Sequence, residues 1–114
     1  MTQKSAQDMV AANASIWEHY KHACEKHPRF ADGICLMTED WEGMAADAKE
    51  FMEVHEENGL SFTATIVLMG EIYEALAAYC AGDLAQARYE IMDAIAVLLR
   101  MDDMLAGMQE REER

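Results

Sequence analysis

The fold of this chain is decided by residues 63–101, whose sequence is TATIVLMGEIYEALAAYC followed by AGDLAQARYEIMDAIAVLLRM. Both halves are rich in Ala, Leu, Met and Glu, which favour helices over strands. Between them, Gly82 suits the left-handed residue that ends one helix, and Asp83 suits the N-cap of the next. Gln86 lies three residues after Asp83 and predicts a capping box. The stretch therefore predicts two antiparallel helices joined by a tight turn.

The sequence before this hairpin predicts two more helices, and hence an all-α fold with four helices. The first is expected over residues 5–26 and is ended by Pro28, since the residue before a proline is pushed out of the helical region. The second is expected to begin at Thr38 as its N-cap and to stop at Asn58 and Gly59.

The last two helices form the predicted hairpin. The third is expected to begin at Ser61 as its N-cap, and the fourth to fray after Gly107. Apolar residues recur at helical spacing on the second and fourth helices. These stripes are Trp41, Met44, Ala45, Ala48, Phe51, Met52 and His55, and Leu84, Ala87, Ile91, Ala94, Ile95, Leu98, Met101 and Leu105. With no repeat or linker, we predict a single all-α domain over residues 1–114.

Composition restricts the function classes. The chain has 114 residues with 22 acids against 9 Lys and Arg, for a net charge of −13. This balance argues against binding to a nucleic acid polymer or to an anionic membrane surface, both of which need clustered cations. Because 52% of the residues are hydrophobic, an acidic disordered tail is also excluded.

Location in the cell is predicted from the cysteines and the N-terminus. The cysteines are Cys24, Cys35 and Cys80, an odd number without a CxxC pair, which favours free thiols in a reducing compartment. The N-terminal residues have no apolar run typical of a signal peptide, and no stretch is long enough to span a membrane. We therefore expect a cytoplasmic protein.

Pairs of acids three residues apart occur throughout the chain, so one such pair carries little information. Chance gives about four pairs in a chain of this composition. The seven pairs present are Glu39/Glu42, Asp47/Glu50, Glu50/Glu53, Glu53/Glu56, Glu71/Glu74, Glu90/Asp93 and Glu110/Glu113. The pairs Glu71/Glu74 and Glu90/Asp93 differ from the rest because they lie in mostly apolar segments, where an unpaired buried carboxylate is costly.

Hairpin geometry predicts that these two pairs meet. Glu74 lies eight residues before Gly82 and Glu90 eight after it, while Glu71 and Asp93 lie eleven residues before and after it. Antiparallel packing then sets Glu74 level with Glu90, and Glu71 level with Asp93. Each pair occupies one face of its helix.

Four converging carboxylates need a counter-charge, because they cannot all stay ionised in an apolar groove. No Lys or Arg lies between Glu50 and Ala87. A hard divalent cation such as Mg²⁺ would supply the charge and keep positions open for phosphate, which predicts a Mg²⁺ site for a phosphate-bearing substrate. The alternatives are that the acids are solvated on an exposed face or shielded by cations of a partner subunit.

The segments GEIYEAL (70–76) and EIMDAIAVLLRM (90–101), with 15 residues between Glu74 and Glu90, resemble the ExxE…ExxD signature of the all-α, MazG-like nucleotide pyrophosphohydrolases. The resemblance is best over residues 61–105. It implies a helical protomer that forms dimers or tetramers. It also implies hydrolysis of nucleoside triphosphates to monophosphate and pyrophosphate with Mg²⁺, or Mn²⁺.

The resemblance also implies roles for individual residues. Glu71, Glu74, Glu90 and Asp93 would be the metal ligands, and Glu74 or Glu71 would also be the catalytic residue that orients or deprotonates the attacking water. The chain departs from the family pattern at Gly70 and Tyr89, where a further Glu is common, and at Met92, where Gly is common.

Four other residues are candidates for binding the substrate. Lys49, Arg88 and Arg100 could neutralise the triphosphate, and surface ion pairing is the alternative. Trp41 could stack on the base, and packing in the core or in a subunit interface is the alternative.

Three functions follow as hypotheses. The first is a Mg²⁺-dependent nucleoside triphosphate pyrophosphohydrolase. The second is a non-catalytic MazG-like helical module with an interaction or regulatory role. The third is a small helical regulator that binds no metal. Because the apolar stripes of the second and fourth helices exceed what one small protomer can cover, we also predict a homo-oligomer, most simply a twofold dimer.

Overall fold

The structure is a computed structural model that describes residues 3–30 and 33–113, with side chains from residue 13 onward. Over these residues the regular structure is four α-helices and no strands, which confirms the predicted all-α class. The helices are α1 (Gln3–Lys26), α2 (Trp41–Glu57), α3 (Ala64–Cys80) and α4 (Leu84–Glu112). Contacts cluster into two units, residues 1–34 and 35–114. That both units belong to one domain stays a prediction.

The first unit contains α1, which ends at Lys26 just before the turn at Pro28, as predicted. Near its middle the Trp17 and Tyr20 rings stack with centroids 5.6 Å apart. Lys21 lies 5.9 Å from the Trp17 ring centroid and forms an ion pair of 2.9 Å with Glu18. These are local contacts between neighbouring turns of one helix.

Helix α2 begins later than expected. Its N-cap is Asp40, whose Oδ1 accepts a hydrogen bond of 2.9 Å from the Gly43 N–H, so the prediction of Thr38 was wrong. Either side chain can cap, but an aspartate also places a negative charge at the positive end of the helix. The predicted end is confirmed, since the Asn58 N–H donates to the last turn and Gly59 follows in the left-handed region with φ 66°.

Helix α3 also begins later than expected. The N-cap is Thr63 in an extended conformation, so the prediction of Ser61 was wrong. The preceding residue, Phe62, is half-buried and lines a groove together with Met101 and Met104 of α4. Thr63 makes no capping hydrogen bond, so its position as N-cap does not depend on its side chain.

The turn between α3 and α4 is as predicted. Gly82 has φ 82°, and the Asp83 carboxylate accepts a hydrogen bond of 3.1 Å from the Gln86 N–H. The reciprocal half of the expected capping box is absent here. The Asp83 N–H donates to the Ala78 carbonyl, and the Gln86 amide donates to Glu90 instead.

Helix α4 continues past Gly107 to Glu112, so the predicted fraying after Gly107 was wrong. A glycine inside a helix costs only about 1 kcal/mol. Arg111 in the last turn offsets part of that cost by interacting favourably with the negative end of the helix.

The second unit has α3 at its centre, packed against α2 on one side and α4 on the other. Its most buried apolar residues are small, with Ala75 of α3 2% exposed and Ala94 of α4 6% exposed. Gly70 of α3 is also buried and faces α2. Ala75 and Ala94 let α3 and α4 approach closely. Beside them the carboxylate of Glu90 is also buried.

The predicted stripe of α2 lies mostly against α3, with Phe51 as the member that is exposed. The stripe of α4 is divided. Ala87, Ala94 and Met101 are covered, whereas Leu84, Ile91, Ile95, Leu98 and Leu105 are exposed. In the described part of the chain, no helix is both long and apolar enough to cross a membrane.

Candidate metal centre

Three of the four predicted acids converge between α3 and α4. One carboxylate oxygen from each of Glu71, Glu90 and Asp93 lies within 4.8 Å of the other two. Glu71 comes from α3, and Glu90 and Asp93 come from successive turns of α4. The hairpin therefore assembles, from residues up to 22 positions apart, a group of oxygens that could hold one cation.

Glu90 is the most buried member, with 8% of its surface exposed. Its Oε1 accepts a hydrogen bond of 2.7 Å from the Gln86 amide, one turn earlier on α4. Its Oε2 is buried and has no hydrogen-bond donor among the described residues, and the same holds for Oε2 of Glu71. Buried carboxylate oxygens normally have a hydrogen-bond donor or a cation beside them. The site can therefore accept such a partner at these two atoms.

Desolvation changes the protonation of Glu71. Burial, together with a hydrogen bond to Glu90 and the charges of Glu74, Glu90 and Asp93, raises its pKa to about 7 from an ordinary value of 4.5. A proton on Glu71 can be donated to Glu90, which satisfies one of the two unpartnered oxygens. When no cation is bound, these surroundings therefore favour the neutral form of Glu71.

Glu74 lies beside the cluster rather than within the group of three. Burial, then a hydrogen bond with Glu90 and the negative charge of Glu90, raise the pKa of Glu74. The positive charge of Lys49 on α2 acts in the opposite direction. The structure thus brings Lys49 close enough to influence Glu74 electrostatically, although the lysine side chain is exposed and forms no ion pair with it.

The predicted register agrees with this arrangement in its main feature. Glu90 interacts with Glu74, its predicted neighbour across the hairpin, and Glu71 is close to Asp93, its own predicted neighbour. Glu90 also interacts with Glu71, so it lies between the two α3 glutamates. The metal-binding role of these residues stays a prediction.

Among residues 35–113, no basic residue forms an ion pair with the carboxylate cluster. The cations between residues 35 and 113 are Lys49, Arg88, Arg100 and Arg111. None of these four forms an ion pair, and all four are exposed. Since Glu90 is buried, the alternative of acids solvated on an open helix face does not describe it.

Arg100 borders a groove of about 300 Å³ between the start of α3 and the middle of α4. Its other lining residues are Phe62, Thr63, Ala64, Val67, Val97, Met101 and Met104. Val67 lies one helical turn before Glu71, and Val97 lies one turn after Asp93. The groove therefore opens about one turn from the carboxylates and is apolar apart from its arginine and threonine.

Trp41 lies towards the other end of α3. Its indole N–H donates to the Leu36 carbonyl at 2.8 Å, and its ring stacks on Tyr73 with centroids 6.2 Å apart. It borders a smaller cavity of about 230 Å³, whose lining includes Glu39, Asp40, Glu42, Ala77, Cys80 and Ala81. The structure does not bring Trp41 and Arg100 into one pocket, and the three acids beside Trp41 would repel phosphate.

The donor set suits a hard divalent cation. Three carboxylates offer oxygen ligands of the kind that Mg²⁺ and Mn²⁺ take, without the sulfur or imidazole donors that favour Zn²⁺. Two oxygens bound to one Mg²⁺ lie at most about 4.2 Å apart. Small side-chain rotations would bring the observed group to such separations.

One supporting residue was missed by the sequence reasoning. Gln86 was assigned to a capping box, whereas its amide holds Glu90. The spacing of four residues between them on one helix is the signal that could have identified this contact.

The chain matches no known protein family, no curated protein and no solved structure.

Proposed function

We propose that this protein is a cytoplasmic, Mg²⁺-dependent nucleoside triphosphate pyrophosphohydrolase of the MazG-like kind, with Mn²⁺ as an alternative metal. The observation that carries the proposal is the pair of buried, unpartnered carboxylate oxygens of Glu71 and Glu90 within a convergent three-acid cluster. A fold that desolvates like charges without adjacent cations loses stability unless a ligand compensates.

In this proposal Glu71, Glu90 and Asp93 hold the metal, and Gln86 fixes the orientation of Glu90 by its hydrogen bond. When bound, the divalent ion would supply charge neutralisation for the phosphates of the substrate. No hydrogen-bond donor competes with the metal for Oε2 of Glu71 or Oε2 of Glu90, since neither atom has a partner among the described residues.

Glu74 is the proposed catalytic residue that orients or deprotonates the attacking water. It lies next to Glu90 but outside the three converging ligand oxygens, so its carboxylate remains available to a water molecule. Its raised pKa makes it a better proton acceptor than an ordinary glutamate. The positive charge of Lys49 opposes part of that rise. Glu71 remains the second candidate for the same role.

The substrate is proposed to lie along the groove that Arg100 borders. Its apolar lining suits the base or sugar of a nucleotide, and the guanidinium suits a phosphate. Arg88 and Trp41 lie outside this groove, so Arg100 is the proposed phosphate contact within it.

The test is release of pyrophosphate from a panel of ribo- and deoxyribonucleoside triphosphates, with Mg²⁺, with Mn²⁺ and with EDTA. We expect metal-dependent turnover of at least one nucleotide. Glu74→Gln should abolish turnover while millimolar Mg²⁺ still raises Tm, because the three ligands are intact. Glu53→Gln on the exposed surface of α2 is the matched control. Absence of turnover across the panel, with metal-dependent stabilisation retained, would reject the enzyme.

A non-catalytic helical interaction module is the second candidate, and the exposed face of α4 favours it. Leu84, Ile91, Leu98 and Leu105 follow one another at intervals of seven residues, and each is 43% to 62% exposed. A heptad-spaced apolar stripe is typical of a helix that packs against another helix. In the enzyme hypothesis the same stripe serves the proposed oligomer.

The proposed oligomer is a homodimer, or a tetramer built from it, formed through this stripe. Leu98→Glu places a charge in the middle of the stripe and should lower the molar mass measured by light scattering to that of one chain. Tyr89→Glu is the control, since Tyr89 is also exposed but lies on another side of α4. A wild-type chain that is monomeric at all concentrations would remove the oligomer from the proposal.

A further inference from the structure

Two cysteines far apart in the sequence lie side by side in the second unit. The Sγ atoms of Cys35 and Cys80 are 3.9 Å apart, although 45 residues separate them. Cys35 is in the segment that leads into α2, and Cys80 is the last residue of α3. Both side chains are half-buried, so a small oxidant can reach them while the surrounding chain holds them together.

The surroundings fix both thiols in this position. Cys80 contacts the thioether of Met37 at 3.6 Å, so three sulfur atoms lie together. Next to Cys35, the Leu36 carbonyl accepts the indole N–H of Trp41, whose ring stacks on Tyr73 of α3. The segment that carries Cys35 is thereby attached to the same helix that carries Cys80.

We propose that Cys35 and Cys80 are an oxidative modification site, a dithiol that hydrogen peroxide converts into an intramolecular disulfide. In the first step one thiolate attacks peroxide, the O–O bond breaks, and a sulfenic acid forms. The hydroxide that leaves takes up the proton released by the thiol and becomes water. In the second step the other thiol sulfur attacks the sulfenic sulfur, and water leaves. Two thiols are oxidised and one peroxide is reduced to two waters.

The geometry permits the bond with little movement. A disulfide joins its sulfurs at about 2.05 Å, so the two Sγ atoms must approach by about 2 Å in total. Rotation about χ1 of each cysteine supplies displacements of this size. Partial burial, and then the hydrogen bond with Cys80, raise the pKa of the Cys35 thiol, which lowers the fraction of Cys35 present as the thiolate that attacks peroxide.

The cross-link would fasten the segment before α2 to the end of α3. It would close a long loop in the unfolded chain and thereby raise Tm. The inference does not rest on the proposed enzymatic function, because neither cysteine belongs to the carboxylate cluster.

Peptide mapping tests the proposal on the full chain. The protein is treated with a small excess of peroxide, remaining thiols are alkylated, and a tryptic digest is analysed without reduction. Cys35 lies in the peptide 30–49, Cys80 in 50–88 and Cys24 in 22–26. We expect peptides 30–49 and 50–88 joined by one disulfide, with Tm raised by several degrees and restored by a reductant.

Three variants decide the assignment. Cys35→Ser and Cys80→Ser should each lose the cross-link and the gain in Tm. Cys24→Ser should keep both, since Cys24 is an exposed free thiol on α1. Circular dichroism of the reduced variants confirms that they are folded. The proposal is overturned if peroxide gives only Cys24-linked dimers, or separate sulfinic acids at Cys35 and Cys80.

Discussion

The outer surface of α2 and the facing sides of α3 and α4 carry the same kind of acid pairs in different surroundings. On α2 the acids recur every three residues at Asp47, Glu50, Glu53 and Glu56, and all four are exposed. In the hairpin the same spacing yields a cluster that includes the buried Glu90. Acid spacing alone therefore does not predict a binding site. The neighbouring helix decides it, because it determines whether the carboxylates are buried.

Water accounts for the difference. Each acid on the outer surface of α2 is solvated, so its charge costs little and repulsion between neighbours is screened. In the hairpin, α4 removes that water from Glu71, and desolvation is the largest cause of its raised pKa. Substitutions in the two regions test this contrast.

The largest effect is expected on turnover. Glu71→Ala removes a proposed metal ligand and should lower metal-dependent release of pyrophosphate by about 100-fold or more. Glu53→Ala on α2 should leave the rate within a factor of two. Initial rates at saturating Mg²⁺ provide the measurement. Equal losses in the two variants would mean that the hairpin acids contribute no more to turnover than the exposed acids of α2.

The next effect is expected on the stability of the metal-free protein. Glu90→Gln replaces the unpartnered Oε2 with an N–H donor that can bind the orphan oxygen of Glu71, and it removes a buried charge. We expect the free energy of unfolding in EDTA to rise by about 1–2 kcal/mol, with the Mg²⁺-dependent rise in Tm lost.

Glu56→Gln is the control on α2 and should change the free energy of unfolding by less than about 0.5 kcal/mol. Urea denaturation measures both variants. A destabilised Glu90→Gln protein that still responds to Mg²⁺ would contradict the proposed role of Glu90.

A smaller effect is expected from pH. Glu71 keeps its proton up to about pH 7 in the folded protein but loses it near pH 4.5 when unfolded. Between these values the folded state binds more protons, so its stabilisation is complete below pH 4.5 and is lost as pH rises through 7. At full strength this is about 3 kcal/mol, and solvent screening of a half-buried group reduces it to about 1 kcal/mol.

Glu71→Gln should flatten this part of the stability curve, measured in EDTA between pH 5 and 8. Conversely, Mg²⁺ competes with the proton on Glu71, so its affinity should rise over the same range. A metal-free wild type that becomes more stable from pH 5 to 7.5 would refute the raised pKa.

The hairpin was predictable because its signals are local. The backbone preference of Gly82 and the capping preference of Asp83 predict the turn. Counting residues from that turn then places the acids near one another. The starts of α2 and α3 were not predictable in the same way. Thr38, Asp40, Ser61 and Thr63 are all capable N-caps, and the choice depends on packing of the residues around them.

Long-range contacts account for the rest. Nothing in the local sequence places Cys35 against Cys80, because that contact depends on how the segment before α2 lies on α3. Burial of Glu90 was likewise only implied by its apolar surroundings. Its degree depends on the small residues Ala75 and Ala94, which let the two helices approach.

The smallest effect contrasts two glycines, Gly70 on α3 beside the cluster and Gly43 in the first turn of α2. A Cβ at Gly70 would lie 3.6 Å from Met52 and 3.8 Å from Ala48, which is ordinary van der Waals contact. Gly70→Ala should therefore raise the free energy of unfolding by about 0.5–1 kcal/mol through helix propensity.

At Gly43 an added Cβ would collide with the Asp40 side chain, which caps the helix through the Gly43 N–H. Gly43→Ala should lose about 1 kcal/mol of capping and gain a similar amount of propensity, for a net change near zero. Urea denaturation compares the two variants. Destabilisation by Gly70→Ala would mean that α2 lies closer to α3 than in this structure, and that the carboxylate cluster is held by tighter packing on both sides of α3.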